Sequence, residues 1–337
     1  KMKISIIKET APGETRVLVL PNEVSKLVKA GNEVYIEKDA GSRIFIYDRD
    51  YEKAGAKILI DRAELFGESD LIVKLKAPTI PEFNLLKKNI LFSMLHHEQN
   101  PAYVYYLGRK KAKAIEIESI FNDAGERFID ATDMTGETGI LYAIQHLKKI
   151  PQDSKALILG YGRVGSGAIN MCNKLGIKVK ILRKEEYGSI NHFIKKKDLL
   201  INAIAWPKEE RENKRYLITK EMIDLMNPNG VILDLAVDFP NPIETCRPTT
   251  LSNPYYLERG KTHIGIYGYP GLVPISSSQR YSKQALPLIL DITNNRGLEN
   301  LSEKDELGKF ISKAIVDPER KNWKTLKPKE FESSFIE

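Results

Sequence analysis

Hydrophobic residues in the first third of this chain switch repeatedly between the two-residue spacing of strands and the 3.6-residue spacing of helices. The predicted strands occupy residues 4–6, 34–36, 57–60, 71–75, 90–94 and 114–117. The predicted helices occupy residues 21–30, 48–54, 62–66 and 101–110. This alternation is typical of a mostly parallel sheet with helices on both faces, so the pattern predicts an α/β fold.

The alternation resumes after Asn122-Asp-Ala-Gly125, which we interpret as a turn between two domains. Further strands are predicted at 156–159, 177–181, 198–203 and 231–237. Further helices are predicted at 135–148, 164–175, 219–226 (with Thr219 as N-cap) and 281–294. The hydrophilic segment 208–214 is expected to be a surface loop. The charged tail after Asn294 is expected to pack on the surface or fray.

The chain has 337 residues, more than one ordinary hydrophobic core organises, so two domains are expected. We predict two Rossmann-like domains. The central one, residues 129–271, would be a nucleotide-binding, doubly wound parallel sheet. The other would be a discontinuous substrate domain formed by residues 1–128 and completed by residues 272–337, to which the last predicted helix returns.

A glycine-rich turn lies at the centre of the chain. An apolar run at 156–159 leads into Gly160, Gly162 and Gly165, and a helical pattern and a second strand follow. In the G-x-G-x-x-G motif the first glycine makes the turn, the second lets the backbone approach a pyrophosphate, and the third lets helix and strand pack closely. The helix N-terminus then attracts the phosphates. Because the strand, the helix and the second strand are all present, the motif predicts a dinucleotide site.

The end of the second strand bears on the choice of cofactor. A site for NAD usually has Asp or Glu there to bind the ribose 2′-hydroxyl. This chain has Arg183 and Lys184, which suit a 2′-phosphate, so NADP(H) is favoured and NAD(H) remains possible. In the alternative interpretation Arg183 points into solvent and Glu185 holds the ribose. The predicted cofactor-binding residues are Gly160, Gly162, Arg163, Val164, Gly165, Arg183, Lys184, Ala203 and Asp238.

The composition, with 42% hydrophobic and 29% charged residues, is that of a soluble globular protein. No apolar run reaches the ~18 residues of a membrane helix, and the N-terminal apolar stretch is too short for a signal peptide. Cys172 and Cys246 form neither a metal motif nor a disulfide framework, so we expect a cytoplasmic protein without a metal. The net charge of +7 is dispersed, which favours anionic small molecules over nucleic acid.

Polar residues that could carry chemistry follow the predicted strands. Ligands of parallel α/β sheets bind beyond the carboxyl ends of the strands. Histidine exchanges protons near neutral pH, and lysine or arginine can hold a carboxylate. The candidates at such positions are Arg16, Lys76, His96, His97, Glu118 and Asp238. A single charged residue at a strand end is more often a surface charge than a ligand, and Asp238 could simply cap the turn that follows it.

Several motifs at these positions resemble one family. They are Lys8-Glu-Thr-Ala-Pro-Gly-Glu-Thr-Arg16-Val, Leu71-Ile-Val-Lys-Leu-Lys76-Ala-Pro78, Leu91-Phe-Ser-Met-Leu-His96, Asp234-Leu-Ala-Val-Asp238, Arg247-Pro-Thr-Thr250 and Tyr269-Pro-Gly-Leu-Val-Pro274. Together they resemble the alanine dehydrogenase/transhydrogenase-domain superfamily, which also contains lysine-forming saccharopine dehydrogenase and N5-(carboxyethyl)ornithine synthase. The resemblance covers the chain from Lys3 to about Asn295.

The resemblance implies a role for each matching residue. Arg16 and Lys76 would hold the substrate carboxylate and its keto or imino oxygen, and Lys76 is counted as catalytic together with His96 and Asp238. From its position after the strand at 114–117, we also predict Glu118 as a substrate-binding residue. His96 would be the general acid/base, and Asp238 would lie beside nicotinamide and substrate, while His97 is expected to be a bystander. The reaction would be hydride transfer between nicotinamide and the α-carbon of an amino acid or its imine.

Departures from the family pattern bear on the substrate. Gly268-Tyr269 replaces Asn-Met, Asp238-Phe-Pro-Asn replaces D-Q-G-G, and Asn122-Asp-Ala-Gly-Glu-Arg127 is similar to the saccharopine dehydrogenase branch. Arg183 resembles the carboxyethylornithine synthase. We therefore expect a cytoplasmic, homo-oligomeric opine-type enzyme that condenses pyruvate or a similar 2-oxo acid with ornithine or lysine, in a pocket that Gly268 enlarges. The alternatives are alanine dehydrogenase, a saccharopine dehydrogenase-like enzyme, and a catalytically silent nucleotide sensor.

Overall fold

The computed structural model describes residues 1–301 and 305–328. Its strands are β1 (Lys3–Ile6), β2 (Glu33–Glu37), β3 (Lys57–Leu59), β4 (Leu71–Val73), β5 (Ile90–Ser93), β6 (Lys113–Glu116), β7 (Lys155–Leu159), β8 (Lys178–Leu182), β9 (Leu199–Asn202), β10 (Val231–Asp234), β11 (Tyr255–Glu258), β12 (Lys261–Ile264) and β13 (Ile315–Val316).

Its α-helices are α1 (Pro21–Lys29), α2 (Asp48–Lys53), α3 (Arg62–Glu68), α4 (Ile80–Leu85), α5 (Ala102–Lys110), α6 (Thr132–Ala143), α7 (Arg163–Lys174), α8 (Ile190–Ile194), α9 (Lys208–Glu212), α10 (Lys220–Ile223), α11 (Pro274–Asn294) and α12 (Glu306–Lys313). None of the described helices combines the length and the apolar character needed to cross a membrane.

The chain forms two compact units. The first contains residues 1–130 and 274–337, of which 302–304 and 329–337 lie outside the described residues, and the second contains residues 131–273. The boundaries expected from the sequence, 128/129 and 271/272, lie two residues before each of these junctions.

The first unit is built on a seven-stranded sheet in the order β13-β6-β5-β4-β1-β2-β3. All neighbouring strands are parallel except β13, which runs antiparallel to β6. β1 lies between β2 and β4, in register with Val34 and Leu71 opposite Ile4. Because β1, β4, β5 and β6 are adjacent and parallel, the segments that follow them emerge at one edge of the sheet.

The second unit is built on a six-stranded sheet in the order β11-β12-β10-β9-β7-β8, parallel except for β11. Alternate residues of β7 enter different hydrophobic clusters, Ala156 and Ile158 in one and Leu157 and Leu159 in the other. Successive strand residues point to opposite faces, so both faces of this sheet are covered. The prediction of an α/β fold with Rossmann-like, mainly parallel sheets is confirmed.

Helix α11 holds part of the first unit in place. It begins at Pro274, seven residues before the predicted start at Tyr281. The added turns carry Ser278, whose hydroxyl accepts a hydrogen bond from the Val17 backbone at 3.2 Å. The Ser282 hydroxyl accepts one from the Leu20 backbone at 2.8 Å. These contacts fix the segment that follows Arg16.

Several sequence predictions were wrong in detail. Residues 208–212 form helix α9 where a loop was predicted, and the predicted 135–148 helix is α6, which ends at Ala143. The predicted 219–226 helix shrinks to α10 (Lys220–Ile223), while Thr219 occupies the N-cap position as predicted, without a side-chain hydrogen bond to the helix backbone. The predicted strand 231–237 ends at Asp234 because the residues after it turn around the Asp234 carboxylate. The tail contains α12 and β13, except at positions 302–304 and 329–337, which lie outside the described residues. The 122–125 turn lies within the first unit.

Candidate active site

Four polar side chains meet at the carboxyl edge of the first sheet. Arg16 follows β1, Lys76 follows β4, His96 follows β5, and Glu118 follows β6. Lys76 interacts electrostatically with both Arg16 and Glu118, and His96 interacts electrostatically with Lys76. The first unit therefore brings together four of the residues selected from the sequence.

Arg16 is buried against a carboxylate that the sequence interpretation missed. Its side chain is 2% exposed, and its Nε and Nη2 atoms donate to the two Glu14 carboxylate oxygens at 2.7 and 2.6 Å. Burial alone would lower the pKa of Arg16, but hydrogen bonding to Glu14 outweighs it and the pKa is raised. The guanidinium also lies over the Tyr281 ring, 5.7 Å from its centre. Arg16 is thus a rigid, charged group that is already neutralised by Glu14.

The backbone around Lys76 is fixed by two side chains. The Glu9 carboxylate accepts hydrogen bonds from the backbone N–H groups of Leu75 at 2.6 Å and Lys76 at 3.3 Å. The Ser93 hydroxyl donates to the Lys76 carbonyl at 2.7 Å, which ties the end of β4 to the end of β5. Burial, followed by the nearby charge of Arg16, lowers the pKa of Lys76. A lysine with a lowered pKa gives up its proton more readily near neutral pH.

His96 has the left-handed backbone conformation, with φ of 48°. Such a conformation is uncommon for a residue other than glycine and needs support from its surroundings. Glu118 supplies it, because its Oε1 atom accepts hydrogen bonds from the backbone N–H groups of Leu95 at 3.0 Å and His96 at 2.6 Å. The His96 ring Nδ1 lies 3.3 Å from the same oxygen. Burial lowers the pKa of His96, so the imidazole is mainly neutral at pH 7 and can accept a proton.

The other oxygen of Glu118 has no hydrogen-bond partner among residues 1–301 and 305–328. Burial, and next the charge of Glu116, raises the pKa of Glu118 to about 7. The behaviour of Glu116 is opposite. Burial would raise its pKa, but hydrogen bonds from His97 and Ser119 lower it to about 2. The pKa values of two carboxyl groups at the end of one strand are therefore shifted in opposite directions. Such a difference is typical of sites that transfer protons.

His97 is paired with Glu116, whose Oε1 atom lies 2.9 Å from the ring Nδ1 and 2.7 Å from the backbone nitrogen of His97. This contact fixes the direction of the loop after β5. Its role as a bystander to the chemistry stays a prediction.

The glycine-rich turn of the second unit has the geometry that its motif predicts. Gly160 has φ of 89°, and a Cβ there would lie 2.7 Å from the Ile204 side chain and 2.8 Å from the Ala203 carbonyl. A Cβ on Gly165 would collide with the Gly160 carbonyl. A Cβ on Gly162 would meet nothing within 4 Å, so the backbone there faces open space. Helix α7 begins at the next residue, and the N-terminus of a helix attracts phosphate groups.

A cavity of about 430 Å³ adjoins this turn and includes Gly162, Arg163 and Ser166 in its lining. At the end of β8, Arg183, Lys184 and Glu185 are all exposed. Within the described part of the chain, neither Arg183 nor Lys184 has a side-chain ion pair. The Arg183 backbone nitrogen donates to Glu186 at 2.9 Å, which orients the segment.

The Asp238 carboxylate, in the loop after β10, forms hydrogen bonds with the loop that follows β9. Its Oδ2 atom accepts from the Trp206 backbone at 2.8 Å, and its Oδ1 atom lies 3.5 Å from Arg211. Close by, the fully buried Asp234 accepts hydrogen bonds from the side chains of Asn202 at 2.8 Å and Asn241 at 2.6 Å. Burial raises the pKa of Asp234 to about 6. The second unit therefore supports Asp238 on a buried polar network.

Sequence interpretation missed Glu9, Glu14 and Asp234, which hold the candidate residues in place. A signal for them existed, because all three lie inside the motifs quoted for Arg16 and Asp238. Acidic side chains beside a lysine or an arginine that is expected to be buried need examination as its countercharge. In the described part of the chain, no group of three or more His, Cys, Asp and Glu residues could hold a metal ion.

Comparisons with known proteins show which proteins this chain is similar to. The family model described as "Alanine dehydrogenase/PNT, N-terminal domain" matches residues 5–135, and the corresponding C-terminal model matches residues 182–315. An alanine dehydrogenase of Methanococcus maripaludis is 32% identical over 92% of each chain. Alanine dehydrogenase 1 of Staphylococcus aureus is 30% identical over 90% of this chain and 91% of its own. A solved structure titled L-alanine dehydrogenase is 26% identical, with a TM-score of 0.81 over 93% of this chain and 94% of that one.

Proposed function

This chain belongs to the alanine dehydrogenase/transhydrogenase-domain superfamily, and from this premise we propose that it catalyses the reversible oxidative deamination of L-alanine to pyruvate and ammonia. It is an NAD(P)-dependent dehydrogenase that acts on an amino acid. The curated relatives named above support alanine over the opine-type substrates first expected from the sequence.

The observation that carries the proposal is the cluster at the carboxyl edge of the first sheet. Arg16 and Lys76 are the cations for the substrate carboxylate and carbonyl oxygen. Burial lowers the pKa of both His96 and Lys76, and histidine is the residue of the two whose ordinary pKa lies near neutral pH. We assign His96 as the general acid/base, and Glu118 as the group that fixes the His96 backbone and ring. Binding of the substrate among charges that are already fixed lowers the entropy cost of orienting it for the reaction.

A nicotinamide cofactor supplies the hydride exchange with the α-carbon. Gly160, Gly162 and Gly165, with Arg163, Val164 and Ala203, are proposed to hold its pyrophosphate, because these positions surround the open turn before α7. Asp238 is proposed to bind near the nicotinamide, and its contacts with Trp206 and Arg211 would fix its direction.

Replacement of His96 tests the proposed mechanism. His96→Ala should lower kcat for pyruvate plus ammonia by about a hundredfold or more, the usual contribution of a general acid/base. Cofactor binding, followed by nucleotide fluorescence, should not change. His192→Ala, on α8 in the second unit, is the matched control and should retain full turnover. Turnover of His96→Ala equal to that of the control would show that His96 is not the proton carrier.

An opine-type condensation of pyruvate with an amino acid is the second candidate. From the sequence, Gly268 was expected to enlarge the substrate pocket. Its φ of 104° shows instead that the backbone conformation requires glycine at this position. Tyr269 is buried and donates a hydrogen bond to the Asp234 carbonyl at 2.6 Å, so its presence is structural. What favours this candidate is a separate cavity beside His96 with both cationic and acidic groups in its lining. Pyruvate with ammonia, compared with pyruvate plus ornithine or lysine, distinguishes the two reactions.

We further propose NADP(H) as the favoured cofactor, with NAD(H) possible, from the exposed Arg183 and Lys184 after β8. We also propose a homo-oligomer located in the cytoplasm. The two cysteines, Cys172 and Cys246, are free and buried, which agrees with a reducing compartment. Light scattering of the purified protein tests the assembly, and cell fractionation tests the location.

A further inference from the structure

A buried carboxylate ends strand β10 in the second unit. Asp234 is 1% exposed, and its Oδ1 atom accepts a hydrogen bond from the Asn202 side chain at 2.8 Å. The same oxygen accepts from the backbone N–H groups of Ala236 at 3.3 Å and Val237 at 3.2 Å. Its Oδ2 atom accepts from the Asn241 side chain at 2.6 Å. All four donors are neutral, so this carboxylate organises the strand end through hydrogen bonds.

One of these hydrogen bonds holds a strained residue. Val237 has the left-handed backbone conformation, with φ of 55°. This conformation is a genuine outlier for a β-branched residue, and such strain persists only where the surroundings impose it, most often at functional sites. Here the Val237 N–H donates to Asp234, and the Val237 side chain packs against the hydrophobic cluster that contains Ile201 and Leu233. Because Asp238 is the next residue, the turn at Val237 sets the direction in which Asp238 leaves the strand end.

Asn241 connects the same carboxylate to the backbone of Asp238. This asparagine is 1% exposed, and its side-chain nitrogen donates both to Asp234 and to the Asp238 carbonyl, the latter at 3.1 Å. Its side-chain oxygen accepts from the Ile243 backbone at 3.0 Å, which fixes the amide in this orientation. Asp234 therefore constrains Asp238 on both sides, through Val237 before it and through Asn241 after it.

The arrangement requires a carboxylate at position 234. Only a carboxylate has two side-chain oxygen atoms that both accept hydrogen bonds. An asparagine of the same shape would direct its NH2 group at the side-chain nitrogen of either Asn202 or Asn241, and both of these nitrogens donate. Burial, and to a smaller extent the charge of Asp238, raises the pKa of Asp234 to about 6. Asp234 is therefore mainly ionised at pH 7, which keeps both oxygens available as acceptors.

We propose that Asp234 is a positioning residue for the reaction, which acts through Val237 and Asn241 to hold the Asp238 carboxylate in the direction that hydride transfer needs. This role rests on the proposed function, in which Asp238 lies near the nicotinamide. Loss of the Asp234 hydrogen bonds would misplace Asp238 and leave the glycine-rich turn before α7 intact. A displacement of about 1 Å near reacting atoms can lower a rate about a hundredfold, so the effect falls on kcat rather than on cofactor affinity.

The test uses the full-length protein with pyruvate, ammonia and NADH or NADPH at about pH 8, where Asp234 is ionised. Asp234→Asn should lower kcat about tenfold or more and change the cofactor Kd, from nucleotide fluorescence, less than about threefold. Adding Asn241→Asp to Asp234→Asn should raise kcat at least about threefold above that of Asp234→Asn alone, because donor and acceptor exchange places between the two side chains. The recovery should be partial, since the second substitution removes the donor to the Asp238 carbonyl.

Asp198→Asn is the matched control. Asp198 is a buried carboxylate of the same unit that lies before β9, at the opposite edge of the sheet. It accepts hydrogen bonds from the side chains of Lys149 at 2.8 Å and Asn227 at 2.7 Å. Its replacement should lower the Tm and leave kcat unchanged.

Asp238→Ala separates failure of this role from failure of the proposed function. No turnover by the unchanged protein, or full kcat in Asp238→Ala, would remove the proposed function and the role of Asp234 with it. A low kcat in Asp238→Ala with full kcat in Asp234→Asn would remove the role of Asp234 alone. Equal losses of kcat in Asp234→Asn and Asp198→Asn, or no recovery in the double variant, would do the same. Should Asp234→Asn not fold, Asn241→Ala replaces it. It should lower kcat at least about threefold with the cofactor Kd retained, and an unchanged kcat would overturn the proposal.

Discussion

Replacing Glu118 by Gln should stabilise the first unit, and more strongly at high pH than at low pH. The change keeps the shape of the side chain. The amide oxygen can accept the Leu95 and His96 backbone hydrogen bonds, and the amide nitrogen replaces the oxygen that has no partner in the described chain. What disappears is the ability to ionise in a buried site.

The magnitude follows from the pKa. Burial raises the pKa of Glu118 from 4.5 to about 7. Between these two values the folded state binds more protons than the unfolded state, so the free energy of unfolding falls as pH rises. Above pH 7 the loss is complete and amounts to about 3 kcal/mol, at 1.36 kcal/mol per pKa unit. Part of it is already lost at pH 5, so the advantage of Glu118→Gln should grow by about 2 to 3 kcal/mol between pH 5 and pH 9.

Thermal unfolding of the apo-protein, followed by circular dichroism at several pH values, measures this difference. The difference in Tm between Glu118→Gln and the unchanged protein should increase by about 4 to 12 °C from pH 5 to pH 9 for a unit of this size. Glu98→Gln is the matched control, because Glu98 lines the cavity beside His96 but is exposed, and this variant should not reproduce the pH-dependent gain in Tm. A constant offset for Glu118→Gln as well would refute the reasoning that burial of Glu118 opposes its ionisation.

Two further predictions concern the second unit. Gly136→Ala places a Cβ against the Val164 carbonyl and the Ala168 nitrogen, where α6 and α7 touch. It should destabilise the unit by about 3 kcal/mol and lower its Tm by at least about 6 °C in calorimetry. Gly188→Ala, whose Cβ meets nothing within 4 Å, should have little effect, and equal Tm values would contradict the packing argument. Arg183→Ala should lower kcat/KM for NADPH about ten- to hundredfold and leave that for NADH unchanged, by the loss of a charged hydrogen bond. An unchanged NADPH value, with NADH turnover lost in Glu185→Gln, would favour Glu185 as the ribose ligand.

The strand ends that carry Arg16, Lys76, His96 and Glu118 could be predicted because a parallel sheet leaves a periodic signal and places its carboxyl ends together. The spacing of Gly160, Gly162 and Gly165 similarly predicted the turn before α7. Long-range contacts left no comparable signal. Strand β13 has two residues and is a strand only because it pairs with β6, some 200 positions earlier in the chain. All five residues of helix α9 are charged, so it has no apolar face, and the contact of Arg211 with Asp238 holds it in place.

The net charge of the site likewise could not be predicted from the sequence, because it depends on which side chains pair in the folded unit. Counted from the sequence, Arg16 and Lys76 are two cations for one substrate carboxylate. In the folded unit Arg16 is already neutralised by Glu14, so Lys76 supplies the positive charge that a substrate would meet. Burial and Arg16 lower the pKa of Lys76 in the absence of substrate, and a bound carboxylate would raise it again. Binding of the substrate therefore favours uptake of a proton by Lys76, which would hold that proton beside the keto or imino group where the reaction needs it.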